Sequence, residues 1–375
     1  MAFIDRVLRA PSYGWVDAAG GLVRPTPRQI LREALARCNV LRTRKNWICV
    51  IAWVWVLCLL PAPVLFVKYH FSGGLLALAL LFGVGGMSTH GTIWYHRYCT
   101  HRAFAFRHGA WRFVTQNLVP KVVPEEIYVV SHQVHHVKSD QPGDPYNASA
   151  GFLYCFLADI NHQPIAHDLS EDDYARTVKM LAHTGIHLNS YRQYQRWGSV
   201  SHPAALIAHG VLSWTFWYAV YYAIGGHALA LALFSGVLLW SVGVRTFNYQ
   251  GHGRGRDLRR DGVDFNRRDM SVNQWRPGVF GGEWHNNHHL FPSSARSGFL
   301  WHQLDCAWLY IRLLHRLGAV ASYRDDRQRF LDEYYRPALK ARAASAAHPA
   351  HDGPSTPETP PIKPPGGAST APTST

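Results

Sequence analysis

The sequence predicts an all-α integral membrane protein: four transmembrane helices in two hairpins, with a helical cytoplasmic cap that holds a di-metal site. Three observations carry this prediction. Apolar residues are gathered into two long uncharged runs, although the mean hydropathy of the whole chain is only −0.13. Histidine numbers 23 in 375 residues, nearly as many as the 24 Asp and Glu together. Those histidines recur in short strings beside the apolar runs.

Taken in chain order, residues 1–46 carry nine Lys and Arg against three Asp and Glu, a basic N-terminal segment with an amphipathic helix expected over Arg28 to Arg44. From Asn46 to Tyr95 the only charged side chain is Lys68. A hydrocarbon core of ~30 Å takes about 20 apolar helical residues, so this run accommodates two crossings, at 47–67 and 72–95, turning at Tyr69 to Gly74. Pro61 and Pro63 fall near the outer end of the first, where an interrupted hydrogen-bond ladder does least harm. Residues 96–202 read as a mostly helical cytoplasmic stretch with a turn-like segment at Ser139 to Asn147. From Trp197 to Val244 there is no charged residue, which gives crossings at 203–224 and 228–245 broken at Gly225-Gly226. A second cytoplasmic segment runs from Arg245 to about Lys340. The stretch 341–375 holds eight of the 22 prolines and is expected to be a disordered tail.

Charge sets the orientation. The basic residues lie outside the hairpin tips, so both termini, the central loop and the active site are expected in the cytoplasm. The membrane would be the inner membrane of a bacterium or, in a eukaryote, that of the endoplasmic reticulum. The net charge of +14 then meets anionic headgroups through Arg42, Arg44, Lys45 and the stretch Arg254 to Arg268. No nucleic-acid-binding module accompanies it, so nucleic acid is excluded as a partner. The first apolar run begins near residue 47 behind a basic segment, so no cleaved signal peptide is expected. Cysteines at 38, 49, 58, 99, 155 and 306 form no CxxC pair. That excludes a zinc ribbon, a thiolate iron–sulfur site and a disulfide scaffold, and points to a reducing compartment.

Four histidine strings stand out: His96-Arg-Tyr-Cys-Thr-His101, His132-Gln-Val-His135-His136, Asn248-Tyr-Gln-Gly-His252 and His285-Asn-Asn-His288-His289. On a helix, residues four apart share a face. His132 with His136, and His285 with His289, can therefore each grip one ion, while His135 and His288 point aside toward a second. Nine imidazoles exceed the four ligands of a closed structural zinc. A pair of transition metals with open positions accounts for them, and imidazole suits iron, zinc, copper or nickel. Asp144 and Glu283, which flank two strings, are candidate acceptors for imidazole N–H groups; Glu125 and Glu126 read as ordinary carboxylates. His90 and His209 read as satisfied polar residues inside the bundle, and His162, His167, His183, His187 and His202 as surface or interface residues. Trp53, Trp55, Trp214, Trp217 and Trp240 are assigned to packing.

With these strings in place the chain resembles the membrane-bound fatty acyl desaturases of the stearoyl-CoA desaturase type. The resemblance extends from Lys45 to Arg324. It rests on the four-crossing layout, the order of the boxes, His-Arg-x-x-x-His-Arg at 96–102, Asp144-Pro145, and Trp284-His-Asn-Asn-His-His-x-Phe-Pro292. It implies a desaturase domain over 47–340 with a di-iron centre above an apolar tunnel. It implies His96, His101, His132, His136 and His288 as ligands of one iron, and His135, His252, His285 and His289 as ligands of the other. Asn248 would complete the second iron's shell through water. It further implies O2 as co-substrate, a long-chain acyl substrate, and cis desaturation of delta-9 type within unsaturated fatty acid biosynthesis. Where acyl-CoA members carry Arg-Asp ahead of box two, this chain has Val130 and Ser131, so the carrier stays open between CoA, carrier protein and glycerolipid. No haem, ferredoxin-type cysteine or dinucleotide motif is present. Electrons are therefore expected from a separate ferredoxin, rubredoxin, or cytochrome b5 with its reductase. Two other readings remain: a histidine-box hydroxylase of alkanes, sterols or carotenoids, which inserts a hydroxyl group, and a non-catalytic membrane metal-binding protein, for which ionisable groups lining a path within the membrane would be expected.

Overall fold

The fold is seen in a computed structural model that describes residues 2–161, 165–274, 282 and 284–347. The uncharged runs fold as long helices: among the described residues three, Arg44–Tyr69, Gly73–Thr100 and Pro203–Gly251, are long and apolar enough to cross a membrane, where the sequence predicts four crossings. The first is interrupted at Leu60 and resumes with Pro61 in its first turn, where a missing N–H costs no hydrogen bond. The second starts on a cap, Ser72 Oγ accepting from Leu75 N at 3.2 Å. It runs to Thr100, five residues beyond the predicted crossing.

The two later crossings are continuous by hydrogen bonding, as Pro203–Gly243, but Gly225 and Gly226 leave helical geometry, Gly226 at φ +63°. Twenty residues of straight helix would separate Trp214 from Phe234 by about 30 Å. Their ring centroids are 5.9 Å apart, and Tyr218 Oη bonds His227 Nδ1 at 2.8 Å. The element is thus a hairpin of two arms. One arm meets the second long helix at a small-residue crossing. A Cβ on Gly83 would lie 2.6 Å from the Gly236 carbonyl oxygen, and one on Gly236 2.5 Å from that of Ala79, the close approach that only small residues allow.

These helices turn apolar side chains outward. Leu81 and Ile224 are 70% and 72% exposed, alongside Val64, Val67 and Leu212. Each such side chain left in water forfeits about 1.5–3 kcal/mol of burial, so a contiguous set marks a surface built for lipid.

Polar segments pack against the long helices, Glu125–Lys138 on Thr92–Thr100 and Pro27–Cys38 on Trp47–Leu59. The N-terminal segment is tied together by Arg37, fully buried, which donates to Glu33 and to the Arg9 and Ala10 carbonyls. Its amphipathic helix is Pro27–Cys38, started by a capping box between Thr26 and Gln29. Much of the Arg254 to Arg268 stretch is paired within the protein, Arg259 with Asp257, Arg260 with Asp264 and Arg267 with Asp261. The all-helical expectation is corrected at one place: Phe104–Phe106 pairs antiparallel with Val320–Tyr323. The ribbon joins the segment after the first histidine string to the segment after the last. A buried ion pair repeats that link, Arg97 Nη2 to Asp305 Oδ1 at 2.8 Å. The final helix, Arg336–Ala347, continues seven residues into the predicted tail; residues 348–375, like His162, Gly281 and Glu283, lie outside the described residues.

Candidate metal centre

Four elements deliver the histidines. His132, His135 and His136 sit on one regular helix, Glu125–Lys138, so the four-residue spacing stacks His132 over His136. His285, His288 and His289 sit on a helix of only six residues, His285–Leu290. His252 follows the last turn of the second hairpin, Phe247–Gly251. The first string has a spacing of five, which an α-helix would splay. Here Thr92–Thr100 is wound as a π-helix, and the His101 N–H bonds the His96 carbonyl at 3.1 Å. That wider turn brings the two rings to 5.0 Å, in keeping with the use of π-turns at functional sites.

The nine rings fall into two groups. In His96, His101, His132, His136 and His288, and again in His135, His252, His285 and His289, one nitrogen per ring lies within 4.8 Å of all the others. Nε2 atoms face one another at 2.8 Å for His96 and His288, 3.0 Å for His288 and His136, 3.2 Å for His136 and His132, and 3.1 Å for His285 and His252. The groups adjoin, with the rings of His136 and His289 stacked at 4.4 Å.

This arrangement fits metal ions. Two nitrogens each about 2.1 Å from one ion and at right angles are ~3.0 Å apart, which is the spacing found. The nitrogens are also deprotonated where partners define them. His135 Nδ1 bonds Asp144 at 2.9 Å, His252 Nδ1 bonds Asp140 at 2.8 Å, and His289 Nδ1 bonds Asp269 at 2.9 Å. Each carboxylate holds the proton on Nδ1 and leaves a lone pair on Nε2. The Nε2 atoms of His135, His289 and His101 are buried with no hydrogen-bond partner. Lone pairs converging without donors need a cation.

Electrostatics keeps most rings neutral. Burial, then the neighbouring imidazoles, pushes His132, His136, His285 and His288 well below the usual histidine range. Burial takes His101 down to about 3, and His289 to about 4 despite Asp269. At His252 burial opposes protonation, but Asp140, with Asp269 and Asp144 behind it, carries the value upward. Asp140 and Asp269 are held below the usual carboxylate range against their burial, chiefly by His252 and His289 respectively.

Asp144 stands where the sequence placed it, on an imidazole N–H. Asp140 and Asp269 were not foreseen; Asp140 follows box two by four residues, and Asp269 carries no local signal. Glu125 and Glu126 touch no imidazole: Glu125 takes Lys121, Trp94 and Gln116, and Glu126 takes the backbone N–H groups of Val200 and Ser201. His209 is satisfied by Asn117 at 2.7 Å. The expected satisfaction of His90 fails at Nδ1, which is buried without a partner. Asn248 is buried, its Oδ1 unpartnered, on a cavity wall shared with His132.

Two cavities reach the centre. One, of about 60 Å³, is lined by Val122, Val123, Ile127 and Phe156 with His132 and Asn248. The other, of about 110 Å³, runs among the apolar helices past Gly83, Gly91, Leu239 and Trp240 to His96. Tyr128, Val244 and Phe247 belong to both walls.

A family profile for fatty acid desaturases matches residues 71–326. The chain is 27% identical over 265 residues to an sn-1 stearoyl-lipid 9-desaturase of Anabaena variabilis, covering 69% of this chain and 87% of that protein. It is 28% identical over 276 residues to the Delta-9 acyl-lipid desaturase 1 of Arabidopsis thaliana, covering 72% and 80%. An acyl-CoA C20 Delta5-desaturase of Anemone leveillei is 28% identical over 256 residues, covering 66% and 72%. The profile spans the second and third of the long apolar helices and every histidine string, and the chain belongs to the fatty acid desaturase family.

Proposed function

We propose that this protein is an oxygen-dependent, di-iron fatty acyl desaturase that introduces a cis double bond of delta-9 type into a saturated long acyl chain. The observation that carries the reading is the continuity of the imidazole clusters with two largely apolar cavities, His132 on the wall of one and His96 on the wall of the other. An unactivated methylene has no polar handle. Selection of the reacting carbon therefore falls to a fixed cavity that positions the chain.

His96, His101, His132, His136 and His288 would hold one iron, and His135, His252, His285 and His289 the other, with Asn248 reaching the second through water. Bound iron supplies oxygen activation for removal of two hydrogens from adjacent methylenes, with two electrons from outside and two waters formed. The protein does the rest. Val122, Val123, Ile127 and Phe247 line an apolar path that disfavours water beside the acyl chain. Asp140, Asp144 and Asp269 fix the tautomer and orientation of three rings. Arg245, paired with Asp159 on the wall of the first cavity, receives the polar end of the substrate.

A lipid-linked chain is the favoured substrate over acyl-CoA. Val130 and Ser131 are buried, with Ser131 Oγ bonded to Tyr146 Oη at 2.9 Å, so this site offers no charged pair to a CoA headgroup. Two of the relatives are named for lipid-linked chains. The two arms of the Pro203–Gly243 hairpin each make a crossing, four in all, with both termini and the metal centre on the cytoplasmic side by the positive-inside rule. A ferredoxin, a rubredoxin, or cytochrome b5 with its reductase delivers electrons to the basic cap, in a salt-sensitive encounter.

Expression in a host of defined lipid composition, with fatty acids analysed by mass spectrometry, tests the reading. New monoenes should form only with oxygen; hydroxy acids instead, or no product from iron-loaded protein, would overturn it. Feeding lipid-linked and CoA-linked chains separately should give product from the lipid.

A further inference from the structure

The two imidazole clusters share a ligand type but are not backed alike. Three of the four rings in the smaller cluster give their Nδ1 proton to a carboxylate: His135 to Asp144, His252 to Asp140 and His289 to Asp269, at 2.8–2.9 Å. Among the described residues, no carboxylate pairs with any of the five rings of the larger cluster.

The three carboxylates are also unusual within this protein. Their side chains are at most 8% exposed, and among the described residues none forms a salt bridge with Lys or Arg. Most buried carboxylates elsewhere do, Glu33 with Arg37, Asp305 with Arg97, Glu125 with Lys121 and Asp159 with Arg245, whereas Glu126 is held by the backbone N–H groups of Val200 and Ser201. Backbone and side-chain donors satisfy part of the set. Asp144 takes the N–H groups of Asp140 and Tyr146, Asp269 takes Ser271 N and Asn266 Nδ2, and Asp140 takes Met270 N. Asp140 Oδ1 stays buried without a partner. Arg259 comes near, but it donates to the Asp269 carbonyl at 2.8 Å and pairs with the Asp257 carboxylate; buried negative charge without a direct ion pair to Lys or Arg calls for positive charge one imidazole away.

We propose that Asp140, Asp144 and Asp269 are positioning residues that make the two metal positions unequal, so that the four-imidazole position stabilises the more highly charged ion. The proposal rests on the two-iron reading above. A carboxylate on Nδ1–H makes the opposite nitrogen a stronger donor, and three of them act here on one ion. Conversion of ferric to ferrous iron, with one electron from an added one-electron reductant, is therefore harder at this position. No bond breaks in that change, and the Nδ1 protons stay on their rings. Loss of such a partner typically changes metal affinity by about 10–100-fold. A tenfold change in the ferric to ferrous ratio is about 59 mV for a one-electron couple.

The experiment uses the full-length protein loaded with ⁵⁷Fe, titrated with dithionite and followed by Mössbauer spectroscopy. Wild type should show two ferric environments reduced at separate potentials. Asp140→Asn is the sharpest variant. Asp140 sits at φ +58°, a conformation Asn tolerates, and an Asn carbonyl can still accept from His252 Nδ1 and Met270 N. It should shift only the harder-to-reduce environment, by tenfold or more toward ferrous. Two irons per chain that are reduced together in wild type overturn the proposal, whatever the fate of the variant. An Asp140→Asn shift that touches both environments, or neither, overturns it as well. Folded protein that takes up no iron overturns the functional reading itself.

Discussion

Boxes two and three are both His-x-x-His-His, yet they are held in different ways. Box two rides on Glu125–Lys138, fourteen residues of regular helix that fix the rings by their own periodicity. Box three has six residues of helix, too few to stand alone. Its two asparagines make up the difference. Asn286 Nδ2 donates to the Asn266 and Ser271 carbonyls while its Oδ1 accepts from Asn266 N; Asn287 Nδ2 donates to the Ser297 carbonyl and Gln303 Oε1 and its Oδ1 accepts from Asn273. The same ligand spacing can come from a long helix or from a short one clamped on both sides. In the clamped case the residues between the ligands carry structure.

The largest effect should fall on both boxes equally. His132→Ala and His288→Ala each abolish oxygen-dependent monoene formation, measured in membranes, while the protein remains inserted; retained product from either breaks the ligand assignment. Next come the ties that hold box three. Asp305→Ala leaves Arg97 buried without its ion-pair partner, a loss of about 3–5 kcal/mol that denaturant unfolding in detergent would register. Asn287→Ala removes three buried hydrogen bonds and should cost about 3 kcal/mol and reduce metal content. The corresponding change in box two, Gln133→Ala, removes one side-chain hydrogen bond, to the Thr100 carbonyl, and should cost about 1 kcal/mol or less. Equal losses at Asn287 and Gln133 would erase the distinction between a clamped and a self-supporting box.

Acid should act on the metal-free protein through the neutral rings of both boxes. Below about pH 6.5 the unfolded chain takes up protons that His289, depressed to about 4, and His101, depressed to about 3, refuse when folded. The unfolded state then binds more protons, so stability falls as pH falls, by up to about 1.4 kcal/mol per ring per pH unit between 6.5 and 4. After chelation, the unfolding temperature should drop from pH 7 to pH 4.5; a flat profile would mean the rings are not buried and neutral.

The parts legible in sequence were those written locally. An uncharged run reports membrane helices whatever surrounds it, and Gly225-Gly226 marks the hairpin bend because only there does the backbone leave helical geometry. The division of nine histidines followed from helical periodicity for His132 with His136 and His285 with His289. Other features depend on partners far along the chain. Asp140 lies 112 residues from His252 and Asp269 lies 20 from His289, so no spacing announces them. The π-winding that joins His96 to His101 was implicit in their spacing of five, which an α-helix cannot bring to one face. The asparagines of box three read as part of a string, and only their bonds to Asn266, Ser271 and Ser297 disclose that they clamp it.

The central claim is a two-metal centre built from nine imidazoles. The ratio of iron to protein in the purified full-length chain tests it most directly. The account predicts two irons per chain, falling in both His132→Ala and His289→Ala, one variant from each cluster. A ratio of one in wild type, or two irons retained in both variants, would contradict it.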